Sequence, residues 1–263
     1  MAKRLFLIGL GLCDEGDLPV RAMDLLRGCH TVFAESYTNL MRDGTLSRLE
    51  GKIGRKITLL PREMVEGEKE ILEAAKKGET ALLVPGDPMT ATTHSSLLDS
   101  ARKEGIEARI VHASSIFTAA AGECGLQIYK FGKTATVTYW RENFRPTSFL
   151  DVIAENLRMG AHTLCLLDID PKMGPMKVGK AIETLLSAQE EGGKKVVGAD
   201  SRIFAVWHAG WPDMKIWAGK MGEWKKRYDA EGPAAIIILG KMHFAEEENY
   251  ERVAAARGES GGN

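Results

Sequence analysis

Three short stretches in the first half of the chain gather the residue types that ligand chemistry needs. They are Gly9-Leu10-Gly11-Leu12-Cys13-Asp14-Glu15-Gly16-Asp17, Pro85-Gly86-Asp87-Pro88-Met89-Thr90-Ala91-Thr92-Thr93-His94 and His112-Ala113-Ser114-Ser115-Ile116. Glycines let a backbone turn tightly and approach a ligand closely, while Pro85 and Pro88 fix the chain on either side of Gly86. A dinucleotide fingerprint would need a third glycine at position 14. Asp14 stands there instead, and its carboxylate opposes a pyrophosphate, although Glu35 would suit a ribose hydroxyl and keeps a nicotinamide cofactor open as an alternative. The lysine of a phosphate-binding P-loop is missing. Asp14 or Asp17 is expected to cap the helix that follows. Gly86-Asp87-Pro88 by itself is an ordinary turn. Ser114 or Ser115 can cap a helix whose exposed N–H groups would hold a carboxylate or amide of a ligand.

Each of these stretches must be placed by something, and the flanking sequence supplies it. Leu5–Gly9, Thr31–Ala34, Ile57–Leu60, Ala81–Val84 and Ala108–Val111 are short, apolar or β-branched, and bounded by turn residues, which predicts strands. Val20–Arg27, Glu68–Lys77 and Ser95–Glu104 show apolar residues three and four apart, which predicts helices between them. Alternation of strand and helix implies a parallel open sheet, whose ligands bind beyond the carboxyl ends of the strands. The three stretches all follow predicted strands. After a small-residue helix at Ser115–Cys124 the chain turns aromatic, and the domain junction is expected near Gly125–Phe131. The expected division is residues 1–126, 127–245 and a tail from 246 to 263. Strands are predicted at Ala135–Thr138, Thr163–Asp168, Ile203–His208 and Ala235–Leu239, with helices at Ser148–Met159 and Lys177–Gln189, giving a second, mixed α/β domain. Glycine enrichment after Arg257 predicts disorder there.

Bulk composition narrows the class. With 263 residues, 44% hydrophobic and 27% charged, the chain has a substantial core, and a net charge of −1 gives no global reason to bind nucleic acid or an anionic membrane. No apolar run approaches the ~20 residues that span a bilayer. The run after Met1-Ala2-Lys3-Arg4 is broken by Gly9 and Gly11 and reads as a buried strand instead of a signal peptide. Cys13, Cys29, Cys124 and Cys165 have no pairing or zinc spacing, consistent with a reducing, cytoplasmic setting. The histidines (His30, His94, His112, His162, His208, His243) lack ligand spacing as well, so packing or capping roles and no metal are expected.

Together the motifs are more specific than any one of them. Gly9-Leu10-Gly11-Leu12, Pro85-Gly86-Asp87-Pro88 and His112-Ala113-Ser114-Ser115-Ile116 resemble the S-adenosylmethionine-dependent tetrapyrrole methylase superfamily. Ala34-Glu35-Ser36-Tyr37-Thr38, Ala91–His94, Ile128–Val137, Pro146-Thr147-Ser148, His162–Leu164, Leu167–Ile169 and Gly240–His243 extend the likeness to its archaeal diphthine synthase branch, from Leu5 to His243.

The resemblance implies a two-domain α/β fold, that of the class III S-adenosylmethionine methyltransferases, with the cofactor in a cleft between domains. It implies methyl transfer from S-adenosyl-L-methionine, leaving S-adenosyl-L-homocysteine, to the amine of the aminocarboxypropyl-modified histidine of translation elongation factor 2, giving diphthine for diphthamide biosynthesis. It also implies a homodimer. The cofactor-binding positions carried over are Leu12, Asp87, Thr90, Ser115, Ile116, Leu167, Ala209 and Ala234. No catalytic base is assigned. Thr90 and Ser114 differ from the aliphatic residue and proline common in relatives, Trp207-His208-Ala209-Gly210-Trp211 is more aromatic than the branch, and Met173–Val178 also departs. Tyr37, Lys130, Arg141 and Arg145 are candidates for the substrate side, the basic ones meeting the carboxylate of the arm; the alternative for Arg141 and Arg145 is a solvated loop face. Two other functions compete: C-methylation of a tetrapyrrole such as a corrin precursor on the same fold, and a non-catalytic binding module that keeps the cleft as scaffold.

Overall fold

The computed structural model describes residues 2–35, 37–225 and 229–256, and the chain divides after Ile116 into two compact units. In the first, strands β1 (Arg4–Gly9), β2 (Thr31–Ala34), β3 (Ile57–Leu59), β4 (Glu79–Val84) and β5 (Glu107–Val111) alternate with helices α1 (Val20–Gly28), α2 (Thr45–Ile53), α3 (Arg62–Glu66), α4 (Lys69–Lys77) and α5 (Ser95–Lys103). All pairings are parallel, in the order β3-β2-β4-β1-β5.

Alternation within β1 builds two cores from one strand, because successive side chains leave on opposite faces. Leu5 and Leu7 pack with Leu82 and Val84 against α3, α4 and α5. Phe6 and Ile8 pack with Ala81 and Leu83 against α1 and α2. β1 and β4 are neighbours, yet the chain leaving β1 passes by α1 to β2 on one side, and the chain leaving β4 passes by α5 to β5 on the other. A pair of adjacent strands whose crossovers depart in opposite directions opens a crevice at their carboxyl ends. The glycine-rich stretches hang there.

The second unit contains α6 (Ile116–Glu123, all but its first residue), β6 (Ala135–Val137), α7 (Ser148–Arg158), β7 (Thr163–Leu167), a two-stranded ribbon of β8 (Ile169–Asp170) and β9 (Gly174–Pro175), α8 (Val178–Gly192), β10 (Arg202–Trp207), β11 (Lys215–Lys220), β12 (Ala234–Ile238) and α9 (Phe244–Ala256). Its sheet runs β11-β10-β12-β7-β6 and is mixed: only β6 and β7 are parallel. One face packs on α7 and α8 through Ala135, Val137, Cys165, Ile203, Ala205 and Ile236. On the other, Phe204 meets Tyr250 of α9 edge-on at 5.5 Å.

Two boundaries differ from expectation. The compact units part after Ile116, ten residues before the expected 126/127 junction, because α6 and the following turn belong to the second unit. Residues 246–256, expected as the beginning of a tail, form most of α9, with Glu246 and Tyr250 buried. The glycine-rich end after Arg257, and Ser36, lie outside the described residues. No described helix is long and apolar enough to cross a membrane.

Candidate active site

The loops after β1 and β4 are joined directly. Gly11 and Gly86 form an isolated antiparallel bridge, with Gly86 N donating to the Gly11 carbonyl at 2.7 Å, Gly11 N returning to Gly86 at 3.2 Å, and Leu10 N donating to Val84 at 2.8 Å. Both glycines sit at φ values, 78° and 73°, that side-chain-bearing residues rarely adopt. Gly9 is required for a different reason. A Cβ there would stand 2.5 Å from the Gly86 carbonyl oxygen, 2.7 Å from the Ala113 Cβ and 3.0 Å from Pro88 Cδ, so the loops after β1, β4 and β5 converge on a position that only hydrogen can fill.

Acidic side chains hold this convergence. Asp17 Oδ2 accepts from the N–H groups of Leu12 (2.9 Å) and Cys13 (2.8 Å), folding the first loop back on itself. Helix α1 is instead preceded by Pro19 with no side-chain cap, so the expected capping by Asp14 or Asp17 does not occur; Asp14 accepts from Gly16 N within the loop. Asp87 spans two loops: Oδ1 accepts from Met89 N (3.0 Å) and Thr90 Oγ1 (3.3 Å), and Oδ2 from His112 Nδ1 (2.7 Å) and Ala113 N (3.3 Å). Burial opposes its ionisation, but the Met89 N–H, His112 and the Ala113 N–H outweigh that and hold its pKa below the ordinary carboxylate value. Its role is loop geometry. His112 as the partner of Asp87, and Asp17 as a loop clasp, are residues that sequence reasoning missed; Asp17 was marked only by the glycine before it, and His112 only by its place just after a predicted strand.

Within the first unit, then, Leu12, Asp87, Thr90, Ser115 and Ile116 all lie at the carboxyl ends of β1, β4 and β5. Leu12 and Asp87 are buried and the other three half-buried. Within the second unit, Leu167, Ala209 and Ala234 share one end of the mixed sheet. Val137 pairs with Leu167, Leu166 with Ala235, and Ala234 with Trp207, two residues before Ala209. Ala209 is the middle of a tight turn between His208 (φ 51°) and Gly210 (φ 81°). His208 N donates to the Pro233 carbonyl at 3.0 Å, its Nδ1 lies 3.0 Å from Asp213 Oδ2, and its ring stacks on Trp211 at 4.3 Å. The aromatic residues that set this segment apart are therefore what stiffens it.

A sequence profile of the tetrapyrrole (corrin/porphyrin) methylases matches residues 4–225, taking in the first sheet and every strand of the second except β12. The chain belongs to the tetrapyrrole methylase family. Within that family it is 39% identical over 247 residues to the diphthine synthase of Methanococcus maripaludis (strain C6 / ATCC BAA-1332), covering 93% of this chain and 96% of that protein. It is 37% identical to the diphthine methyl ester synthase of Eremothecium gossypii, covering 94% and 88%. A crystal structure of diphthine synthase matches with a TM-score of 0.86 and 32% identity, over 95% of this chain and 96% of that one.

The basic residues expected on the substrate side of this methylase are mostly engaged. Lys130 donates to Glu246 Oε2 (2.7 Å) and to the Lys241 carbonyl (2.6 Å) in a half-buried position. Arg141 pairs with Asp170 at 2.6 Å and Arg145 with Glu191 at 2.8 Å, while both stay exposed to solvent. The Tyr37 phenol is directed to Glu35; burial first, and then that carboxylate, push its pKa up. Glu35 itself is buried against His94 and Thr38, which leaves no ribose-binding role for it. No described group of three or more His, Cys, Asp or Glu is placed to hold a metal.

Proposed function

We propose that this methylase transfers methyl groups from S-adenosyl-L-methionine to the amine of the aminocarboxypropyl-modified histidine of translation elongation factor 2, producing diphthine in diphthamide biosynthesis. The observation that carries the donor is the chemistry of the crevice loops. From Gly9 to Asp17, from Gly86 to His94 and from His112 to Ser115 there is no lysine or arginine. Asp14 and Glu15 are paired with Arg42, Arg48 and Lys52, while Asp17 and Asp87 accept from backbone N–H groups of the loops. Loops that supply no lysine or arginine of their own to a phosphate are a better match for a ligand with a sulfonium and an ammonium group. Gly9, where a Cβ cannot fit, keeps the three loops in contact, so the ligand would meet backbone held in place before it arrives.

In this reading Leu12, Asp87, Thr90, Ser115 and Ile116 of the first unit, and Leu167, Ala209 and Ala234 of the second, contact the donor. When bound, S-adenosylmethionine supplies a methyl group activated by its sulfonium, which an amine takes by in-line displacement. The chain's own task is alignment and exclusion of water, and alignment is worth up to about 7–11 kcal/mol in model reactions. Asp87 acts by holding the β4 and β5 loops in register. Likeness over nearly the whole chain to diphthine synthases favours the modified histidine over a corrin precursor as acceptor.

Incubation with elongation factor 2 carrying the aminocarboxypropyl-histidine, read by mass spectrometry, tests the proposal. Gain of mass in steps of one methyl on that side chain supports it, and fragmentation tells amine from carboxylate methylation. Gain on a corrin precursor with none on the factor overturns the acceptor. Calorimetry with S-adenosylmethionine and S-adenosylhomocysteine tests the donor separately, and no binding of either would leave a non-catalytic module.

A further inference from the structure

The loop that carries Asp87 and Thr90 ends at His94, the residue before α5, and this side chain is buried against a carboxylate from a different strand. His94 is 3% exposed and Glu35, just beyond β2, is 1%. The ring Nδ1 lies 3.0 Å from the Pro88 carbonyl oxygen and Nε2 lies 3.1 Å from Glu35 Oε2. A carbonyl oxygen only accepts, so Nδ1 carries a proton. Thr38 Oγ1 donates to Glu35 Oε1 at 2.5 Å, and the Tyr37 phenol hydrogen-bonds the same carboxylate. With Thr38 and Tyr37 both donating to the carboxylate, Glu35 is placed to accept from the ring as well, and Nε2 then carries a proton too. Burial drives His94 toward its neutral form, but the hydrogen bond and charge of Glu35 prevail and raise its pKa above 6.5.

The Pro88 carbonyl is gripped a second time, by Thr92 Oγ1 at 2.8 Å. Between these anchors Ala91 is held at φ 56°, a left-handed conformation that alanine seldom adopts and that persists only where its surroundings impose it. Strain of this kind relaxes when a tether is released.

We propose that His94 is a positioning residue for the donor loop, a doubly protonated tether between the Pro88 carbonyl and Glu35, so that loss of one ring proton loosens residues 85–94. The proposal rests on the reading that this loop holds the methyl donor. A neutral ring sets a lone pair against either Glu35 Oε2 or the Pro88 oxygen. Among the described residues, Tyr37 and Thr38 bear on Glu35, Arg62 and Glu66 of α3 bear on Tyr37, and Asp87 is taken up with His112, Met89, Thr90 and Ala113. None of them supplies a replacement proton donor between His94 and its two acceptors. The direction in pH follows: the tether is complete below 6.5 and is lost as pH rises through the raised value of the folded state.

Amide hydrogen exchange of residues 85–94 between pH 6 and 9, corrected for intrinsic rates, reads the tether without any ligand. Protection in the wild type should fall by up to about tenfold per pH unit between 6.5 and the raised His94 value, and level off above it. Glu35→Gln should abolish that dependence, because its amide can donate to a neutral Nε2 while its oxygen still accepts from Thr38. A wild type whose protection is flat across this range, or a Glu35→Gln protein with an unchanged transition, overturns the proposal. Should Glu35→Gln fail to fold, nitrogen NMR of the wild-type ring decides: two protonated nitrogens at pH 6 support the tether and one overturns it. Titration with S-adenosylmethionine should show affinity falling with the same midpoint. Loop exchange that changes with pH in a protein that binds no donor would overturn the donor reading while leaving the tether standing.

Discussion

Replacing Gly9 by alanine inserts one methyl group where three loops meet. The new Cβ would lie 2.5 Å from the Gly86 oxygen, 2.7 Å from the Ala113 Cβ and 3.0 Å from Pro88 Cδ. A backbone oxygen, a Cβ and a ring carbon cannot rotate away. Relief requires the β4 and β5 loops to retreat by about half an ångström in a close-packed region, against the hydrogen bonds that join Leu10 to Val84 and Gly11 to Gly86. Overpacking costs about 1–3 kcal/mol, and rigid neighbours on every side place this case near about 3 kcal/mol. At about 2–4 °C per kcal/mol for a chain of this size, Tm should fall by about 6–12 °C. Retreat of the Gly86 carbonyl also shifts Asp87 and Thr90, so S-adenosylmethionine affinity should drop by about tenfold or more. Gly51→Ala is the matched control. It lies inside α2, a Cβ there meets nothing within 4 Å, and the substitution should stabilise by up to about 1 kcal/mol. Thermal unfolding by circular dichroism and titration calorimetry measure both effects. A Gly9→Ala protein as stable as Gly51→Ala, with unaltered affinity, would refute the claim that close approach at Gly9 shapes the site.

Asp87→Ala leaves the Met89 and Ala113 N–H groups without their acceptor, a loss of about 1–3 kcal/mol; donor affinity measured by calorimetry should fall by about tenfold or more while the circular dichroism spectrum is unchanged. Glu246 is buried, and despite that burial the His243 N–H, Lys130 and the Gln127 N–H lower its pKa from 4.5 to about 2. A depressed carboxylate contributes stability above its unfolded value and loses it as pH falls, so its contribution of about 3 kcal/mol at pH 7 should shrink by about 2 kcal/mol at pH 3. Urea unfolding of wild type and Glu246→Gln across this range should converge in acid; parallel curves would deny the staple. For Arg141→Ala and Arg145→Ala, whose exposed ion pairs add little to stability, unchanged Tm and donor affinity with a raised KM for the modified factor are expected. An unchanged KM would return both to the solvated loop face.

Strands whose apolar runs end in turn residues were readable at once: β1, β2, β4, β5, β7, β10 and β12 all fall within two residues of their predicted ends. The edge strand β11 (Lys-Ile-Trp-Ala-Gly-Lys) was not, since lysines flank it and a glycine interrupts it. Helix α2 carried the right spacing in Leu46, Leu49 and Ile53 but begins after a left-handed Gly44 with no side-chain cap, so its start signal was absent. Helix α9 buries Glu246 and Tyr250 among charged neighbours, which hides its inner face from a hydrophobicity pattern. At the site, the strand-end loops were legible because glycine and proline announce turns. The partners were not: Glu35 and His94 are 59 residues apart and meet only because β2 lies beside β4.

The position of β1 between β4 and β5 also sets a timetable for synthesis. Arg4 pairs with Glu79 on one side and Glu107 on the other. At about 5–20 residues per second the partners of the first strand emerge several seconds after it does. Until then Leu5–Ile8, entirely buried in the finished protein, is a nascent apolar strand with no neighbour, and after β4 arrives it remains an open edge until β5 closes it. A chain stalled before residue 107 is thus sticky and inactive at once, a natural substrate for chaperones that shield strands. The β5 loop joins the already bridged β1 and β4 loops only when β5 docks, so the first unit's share of the proposed donor site and the cover over β1 are completed in the same event.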